Sequence, residues 1–125
     1  MIILSNAWSR KAKINGRRIE REVCQRFNYR FVDEEYDAID SDYHEIEIKS
    51  CQRYVTDSSR KNHTTYGRFR FKPSDYQHTQ RKYFVFVLVD TDGTWEYRKI
   101  YAPKYISLFG VLDNIGWRTI WRKLP

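Results

Sequence analysis

Residues 44–51 read His-Glu-Ile-Glu-Ile-Lys-Ser-Cys, and the interpretation of the whole chain depends on this stretch. Alternating apolar and charged residues predict a β-strand, in which side chains two positions apart share one face. The two isoleucines then point one way, and the other face carries Glu45, Glu47, Lys49 and Cys51. Taken alone, the pattern fits a half-buried strand with a solvated charged face. Alternatively, Glu47 and Lys49, about 7 Å apart on that face, could share one metal ion and one water.

The composition predicts one globular domain spanning residues 1–125. With 41% hydrophobic and 17% aromatic residues, the chain can fill a core and is not expected to be disordered. No apolar run is long enough to cross a bilayer, and the order of apolar and basic residues at the start does not match a signal peptide. Cys24 and Cys51 make no disulfide framework or zinc spacing. We therefore expect a cytoplasmic protein with reduced thiols and no membrane partner.

The net charge of +7 is unevenly distributed along the chain. Residues 1–32 carry eight Lys/Arg and two Asp/Glu, residues 33–49 carry eight acids and one lysine, and residues 50–82 again carry eight bases and two acids. Basic flanks around one acidic segment predict a polyanion-binding surface with a cation-binding centre. Basicity alone is common in soluble proteins, so the acidic segment is the more informative feature.

The first half of the chain predicts one helix followed by short strands. Apolar residues at positions 19, 23 and 27 indicate a helix over residues 17–28, after a basic arm that ends near Gly16. Residues 29–33 and 37–40 are predicted to be short strands, and a turn at Ser41-Asp42 leads into the strand at 44.

In the second half, residues 52–65 show no period and are predicted to form a loop. Residues 66–71 alternate, with phenylalanines inward and arginines outward, which predicts a half-buried strand. Residues 74–77, Ser-Asp-Tyr-Gln, have the form of a capping box and predict a short helix that ends near Lys82. The apolar run 83–89 predicts a strand covered on both faces, at the centre of the sheet.

The chain then predicts a tight turn and a return to the sheet. Asp92-Gly93 marks the turn, and residues 95–101 form the returning strand. Helical stretches are expected around residues 105–112 and within the tail 116–124. The tryptophans of the second stretch are expected to pack in the core.

Three segments carry a family resemblance: Gly16-Arg17-Arg18-Ile19-Glu20-Arg21-Glu22, Asp37-Ala38-Ile39 and Ile46-Glu47-Ile48-Lys49-Ser50. In this order they resemble the PD-(D/E)xK nuclease superfamily, and within it the archaeal Holliday junction resolvase-like branch. The likeness continues loosely over residues 12–101. It implies an α/β, restriction-endonuclease-like core with a central mixed sheet flanked by helices, in the order α-β-β-β-α-β-β plus C-terminal helices. It also implies a homodimer.

The resemblance further implies a two-carboxylate metal site with a catalytic lysine. Asp37 and Glu47 would bind Mg²⁺, with Mn²⁺ as a substitute, since magnesium prefers carboxylate oxygens and retains several waters. The backbone carbonyl of Ile48 would face the metal, and Glu20 would be an outer ligand. Lys49 would orient or deprotonate the attacking water, or offset charge developing on the phosphate.

The identity of the metal-binding aspartate remains open at this point. No proline precedes Asp37, which stands only ten residues before Glu47, whereas Asp33 stands fourteen before it, nearer the usual spacing. Asp37 is preferred because Ala38 and Ile39 follow it as strand residues. Asp33 is the alternative.

We therefore expect a Mg²⁺-dependent endonuclease that hydrolyses DNA phosphodiester bonds, selective for branched structures such as Holliday junctions. Basic residues expected to contact phosphates are Arg10, Lys11, Lys13, Arg17, Arg18, Arg53, Arg60, Lys61, Arg68 and Arg70. One alternative is a restriction or repair nuclease of the same superfamily. Another is a non-catalytic nucleic-acid-binding module, because residues 67–71, Gly-Arg-Phe-Arg-Phe, faintly resemble an RNA-recognition strand. A structural protein with a charged surface is the third.

Overall fold

The computed structural model describes residues 16–32, 36–56 and 63–125, and nine strands and three helices lie in this part of the chain. The strands are β1 (Arg30–Phe31), β2 (Ala38–Ile39), β3 (Glu45–Gln52), β4 (Tyr54–Thr56), β5 (Thr64–Tyr66), β6 (Arg68–Arg70), β7 (Lys82–Val89), β8 (Trp95–Tyr101) and β9 (Asn114–Gly116). The helices are α1 (16–27), α2 (Ala102–Phe109) and α3 (Trp117–Lys123). Two 3₁₀ turns, Pro73–Tyr76 and Thr79–Arg81, precede β7.

A five-stranded mixed sheet with the order β1-β2-β3-β7-β8 forms the centre of the molecule. β3 and β7 are parallel, and the other neighbours in this sheet are antiparallel. The run 83–89 forms β7, an interior strand covered on both faces as predicted, although β3 and not β7 is the middle strand of the five. Burial on both faces, which makes β7 continuously apolar, depends on the layers above and below the strand and does not reveal its place in the strand order.

Two hydrophobic clusters cover the two faces of this sheet. On one face, α1 packs Ile19, Val23 and Cys24 against Ile46 and Ile48 of β3. On the other face lie aromatic residues of β6 and β7 together with the C-terminal helices, namely Phe69, Phe71, Phe84, Phe86, Tyr105 and Ile120. The predicted mixed sheet flanked by helices is thus confirmed, as are the helical period of α1 and the inward phenylalanines of β6. Gly16, expected to end the preceding arm, lies within the helical residues.

The predicted loop over residues 52–65 was partly wrong, because β4 and β5 pair there as an antiparallel hairpin. Residues 57–62, between the two strands, lie outside the described part. The hairpin forms a separate two-stranded sheet, and most of its residues are exposed. With no core against one face, it shows none of the polar–apolar alternation by which half-buried strands are recognised.

The helix predicted from Ser74 to Lys82 was also wrong, because two 3₁₀ turns take its place. Lys72, and not Ser74, caps the first turn: the Asp75 N–H donates to the Lys72 carbonyl at 3.0 Å, and Asp75 Oδ2 accepts from the Lys72 N–H at 2.6 Å. His78 then adopts a left-handed conformation with φ 54°, which an α-helix cannot continue through. The helix that was predicted between the third strand and the buried strand 83–89 is therefore absent from the described residues.

No helix among the described residues has the length and hydrophobicity that a membrane-spanning segment requires.

Candidate active site

Asp37 lies where β2 begins, and both its backbone and its side chain bind β3. Its N–H donates to the Ile46 carbonyl at 3.1 Å, and its Oδ2 accepts from the Ile48 N–H at 2.7 Å. The backbone pairing of β2 with β3 ends at Ile46, so no β2 residue pairs with Ile48. The Asp37 carboxylate accepts the Ile48 N–H bond that a longer β2 strand would otherwise accept. Because the N–H and C=O of one strand residue face the same neighbour, the Ile48 carbonyl also points to this edge.

Glu47 is the neighbouring acid, and its carboxyl group is almost fully withdrawn from water. The residue is only 7% exposed, and its Oε2 has no hydrogen-bond partner among the described residues. Burial and, after it, the nearby Asp37 charge raise the pKa of Glu47 to about 9. Burial also raises the pKa of Asp37, against the opposing effect of the Ile48 N–H. Two acids therefore share a site where neither negative charge is well compensated.

The charged face of β3 is thus not a solvated face, which corrects the first interpretation of residues 44–51. Glu45 and Glu47 are each 7% exposed, and Ile46 and Ile48 are buried on the opposite side. Glu45 contacts His78, with 3.3 Å between its Oε1 and the ring Nδ1.

Lys49 follows on the same face, where it lies between two acids. Its Nζ donates to Asp75 Oδ2 at 2.6 Å, whereas Glu47 Oε1 is 3.8 Å away. The ammonium group also lies 5.2 Å from the centre of the Phe71 ring. Sequence reasoning missed Asp75, because it was assigned to the interior of a capping box. Its position 26 residues after Lys49, beyond a hairpin of irregular sequence, gave no local signal.

Glu20, the outer ligand that the resemblance implies, lies on α1. It is half-buried one helical turn before Cys24, and the charges of Asp37 and Glu20 add to burial in raising the pKa of the Cys24 thiol to about 11. Glu20, Asp37 and Glu47 do not form a group whose ligand atoms all lie within 4.8 Å of one another. The outer position expected for Glu20 stays a prediction.

A second acidic group lies in the β2–β3 turn, where Asp40, Asp42 and His44 bring possible ligand atoms within 4.8 Å of one another. It could hold a metal ion, but both carboxylate oxygens of Asp40 already have partners. Asp40 Oδ1 accepts from the N–H groups of Asp42 and His44, each at 2.9 Å, and Oδ2 lies 3.0 Å from His44 Nδ1. Hydrogen bonds from His44 and Asp42 lower the pKa of Asp40 despite partial burial. The group thus already stabilises its own turn.

The sequence model of the PD-(D/E)XK nuclease superfamily domain matches residues 6–120. The chain belongs to the PD-(D/E)XK nuclease superfamily. No curated protein and no solved structure matches the chain. Membership indicates a nuclease with a nucleic-acid substrate, and nucleases of this superfamily typically use divalent metals. The matched range includes all three segments on which the resemblance was based.

A groove of about 610 Å³ runs from Ile48 and Lys49 on β3 to Arg68 and Arg70 on β6. The other lining residues are Ser50, Cys51, Gln52, Val55, Thr65, Tyr66 and Gly67. The lining includes no acidic residue, and three of its members are cationic. Such a surface attracts the phosphates of a nucleic-acid strand toward the acidic pair.

The basic residues predicted to contact phosphates differ in whether their side chains already have protein partners. Arg70 is exposed and has no hydrogen-bond or ion-pair partner among the residues that the structure describes. Arg68 Nε donates to Asn114 Oδ1 at 2.6 Å, but the residue remains exposed. Arg53 is already engaged, since its Nε lies 2.7 Å from Asp90 Oδ1 and its guanidinium lies over Trp117.

The remaining predicted residues fall into two sets. Arg17 and Arg18 are exposed on α1, where Arg18 lies 3.4 Å from Glu22. Outside the described residues lie Arg10, Lys11, Lys13, Asp33, Arg60 and Lys61.

Proposed function

We propose that this protein is a Mg²⁺-dependent endonuclease that cleaves DNA, selective for branched structures in the manner of Holliday junction resolvases. The observation that carries the proposal is the pair formed by the half-buried Asp37 and the buried Glu47. Two carboxyl groups in contact, one with an oxygen that has no partner among the described residues, are unfavourable unless a cation or a proton lies between them.

The donor atoms suit a hard divalent cation. Asp37 and Glu47 supply carboxylate oxygens, and the Ile48 carbonyl points to the same edge of β3. Mg²⁺ binds such oxygen ligands through one or two carboxylates and keeps several waters, and Mn²⁺ accepts the same set. When bound, the ion would polarise the phosphate and lower the pKa of a bound water.

The chain's own residues would then position the reactants. Asp37 is fixed by its hydrogen bonds to β3, so the metal site does not depend on a mobile loop. Glu20 would bind an outer water from the helix side. Lys49 lies next to Glu47 and would orient the attacking water or stabilise the charge that develops on the phosphate oxygens. Arg68 and Arg70 would bind phosphates along the groove.

We also propose the domain organisation, cell compartment and oligomeric state that the sequence led us to expect. Residues 1–125 would form a single domain in a cell compartment that keeps Cys24 and Cys51 reduced. Paired cuts at a junction require two active sites, so a homodimer is proposed. The restriction or repair alternative uses the same site and differs only in its substrate. The RNA-recognition alternative has lost its support, because Phe69 and Phe71 are buried in the core.

A cleavage assay on matched substrates tests the proposal. Four-way junction, linear duplex and single-stranded DNA are incubated with Mg²⁺, with Mn²⁺ and with a chelator. We expect metal-dependent cutting that is fastest on the junction. Equal or faster cutting of linear duplex would favour the restriction or repair alternative, and DNA binding without cutting in either metal would contradict the enzyme.

Two variants and a control locate the site. Glu47→Ala and Asp37→Asn should each lower single-turnover cleavage by at least about 100-fold, because each loses a direct metal ligand, while DNA binding is retained. Asp42→Asn removes an acid from the turn group of the same hairpin and should leave the rate within about twofold. Loss of cleavage in Asp42→Asn alone would move the metal to the turn group.

A further inference from the structure

Among the described residues, Asp75 is the most deeply buried acid that the sequence did not assign to the site. It is 3% exposed, and its Oδ2 accepts two hydrogen bonds of 2.6 Å, from Lys49 Nζ and from the Lys72 N–H. Buried carboxylates are retained when they are paired and hydrogen-bonded. Asp75 meets both conditions through Lys49 and its own turn.

A second buried lysine fixes the backbone of the same residue. Lys82, at the start of β7, is 2% exposed, and its Nζ donates to the Asp75 carbonyl at 2.9 Å. The turn that carries Asp75 is therefore attached to the sheet at β3 through Lys49 and at β7 through Lys82. This arrangement holds the Asp75 carboxylate at one place relative to β3.

The two acids beside Lys49 compete for one ammonium group. Nζ lies 2.6 Å from Asp75 but 3.8 Å from Glu47, so its short contact is with Asp75 and not with the acid paired with Asp37. If Asp75 were neutral, the ammonium group would gain by moving to Glu47, whose Oε2 has no hydrogen-bond partner within the described chain. It would then occupy the position that a divalent cation needs.

We propose that Asp75 is a positioning residue that holds Lys49 away from Glu47 and so keeps the Asp37–Glu47 pair open to a metal ion. The inference rests on the proposed function, since it concerns the same metal site. It assigns Asp75 no contact with DNA or with the metal. Its effect should pass entirely through Lys49.

A double-mutant cycle on metal binding tests this dependence. Mn²⁺ binding is measured by calorimetry for wild type, Asp75→Asn, Lys49→Met and the double variant, with the exposed Asp113→Asn as a control for loss of one negative charge. Asp75→Asn should weaken Mn²⁺ binding by about tenfold, as loss of an outer partner of a metal site typically does. In the Lys49→Met background the same change should have less than about a twofold effect.

The outcomes separate the inference from the proposed function. If wild type binds no Mn²⁺, the metal site itself is wrong. If wild type binds Mn²⁺ and Asp75→Asn binds it equally well, or is weakened equally with and without Lys49, only the role of Asp75 is refuted. Should Asp75→Asn fail to fold by circular dichroism, Asp75→Glu keeps the charge but displaces the carboxylate. It should weaken binding in a Lys49-dependent way, and unchanged binding would overturn the proposal.

Discussion

At the scale of single residues, the site combines acids that have different partners. Asp37 has a backbone donor and Asp75 has an ammonium group and a backbone donor, whereas Glu47 Oε2 has no hydrogen-bond partner among the described residues. A buried carboxylate without donors is costly, and the cost appears as a raised pKa. Glu47 is therefore the residue at which a bound cation would be most stabilising.

The raised pKa of Glu47 predicts how stability depends on pH in the presence of a chelator. The folded pKa of about 9 lies above the ordinary glutamate value of 4.5, so the stabilisation from binding this proton is fully present below about pH 4.5 and is lost as the pH rises through about 9. One pKa unit corresponds to about 1.4 kcal/mol. Glu47→Gln should therefore unfold at a temperature several degrees higher than wild type at pH 8.

Thermal unfolding at pH 5 and pH 8 in chelator measures this effect. The difference between wild type and Glu47→Gln should be small at pH 5 and large at pH 8. Glu96→Gln, on β8, provides a control for removing a surface carboxylate. An advantage of Glu47→Gln that does not grow with pH would show that the carboxyl group is not under this strain.

At the scale of elements, the groove exists because the chain returns very close to β3 after the β4–β5 hairpin. Gly67, between β5 and β6, lies against the end of β3, and a Cβ there would stand 1.8 Å from the Gln52 carbonyl oxygen. Its φ is not in the left-handed region, so the requirement for glycine is steric.

Gly67→Ala should therefore destabilise the fold by about 3 kcal/mol, because overpacking against backbone cannot be relieved by rotating a side chain. Urea unfolding measures the change. Gly16→Ala is the matched control, since its Cβ would meet nothing within 4 Å and alanine favours a helix by about 0.5–1 kcal/mol. Equal stability of Gly67→Ala and wild type would contradict the close approach.

Elements with one buried stripe or face could be predicted from the sequence, and exposed or irregular ones could not. α1 follows from its four-residue apolar period, and β7 from its continuous apolar run. The β4–β5 hairpin lacks such a pattern because it lies outside the main core. The turn at residues 73–76 resembles a helix start, but tertiary contacts of Asp75 with Lys49 override the local capping signal.

The same limit applies to the candidate site. Glu47 and Lys49 lie two residues apart on one strand, and Asp37 precedes Ala38, which is paired with Ile46, so a short hairpin was enough to predict that they meet. Asp75 depends on a crossover of many residues between two parallel strands, whose path no local pattern specifies.

At the scale of the whole molecule, basic segments surround an acidic centre, and the groove connects the two. Arg68→Ala and Arg70→Ala should each weaken DNA binding and reduce the slope of log K against log salt concentration by about 1, as expected for the loss of one phosphate contact. Lys104→Ala, which removes an exposed charge from α2, should leave the slope unchanged. Binding measured by fluorescence anisotropy over a salt series provides the values, and identical slopes for all three variants would place the DNA elsewhere.

The proposed metal site is most directly tested by anomalous diffraction from crystals soaked in Mn²⁺. We predict one peak between the carboxyl groups of Asp37 and Glu47, beside the Ile48 carbonyl, and no peak there in Glu47→Gln. A peak only at Asp40, Asp42 and His44, or none in wild type at saturating Mn²⁺, would contradict the proposed site.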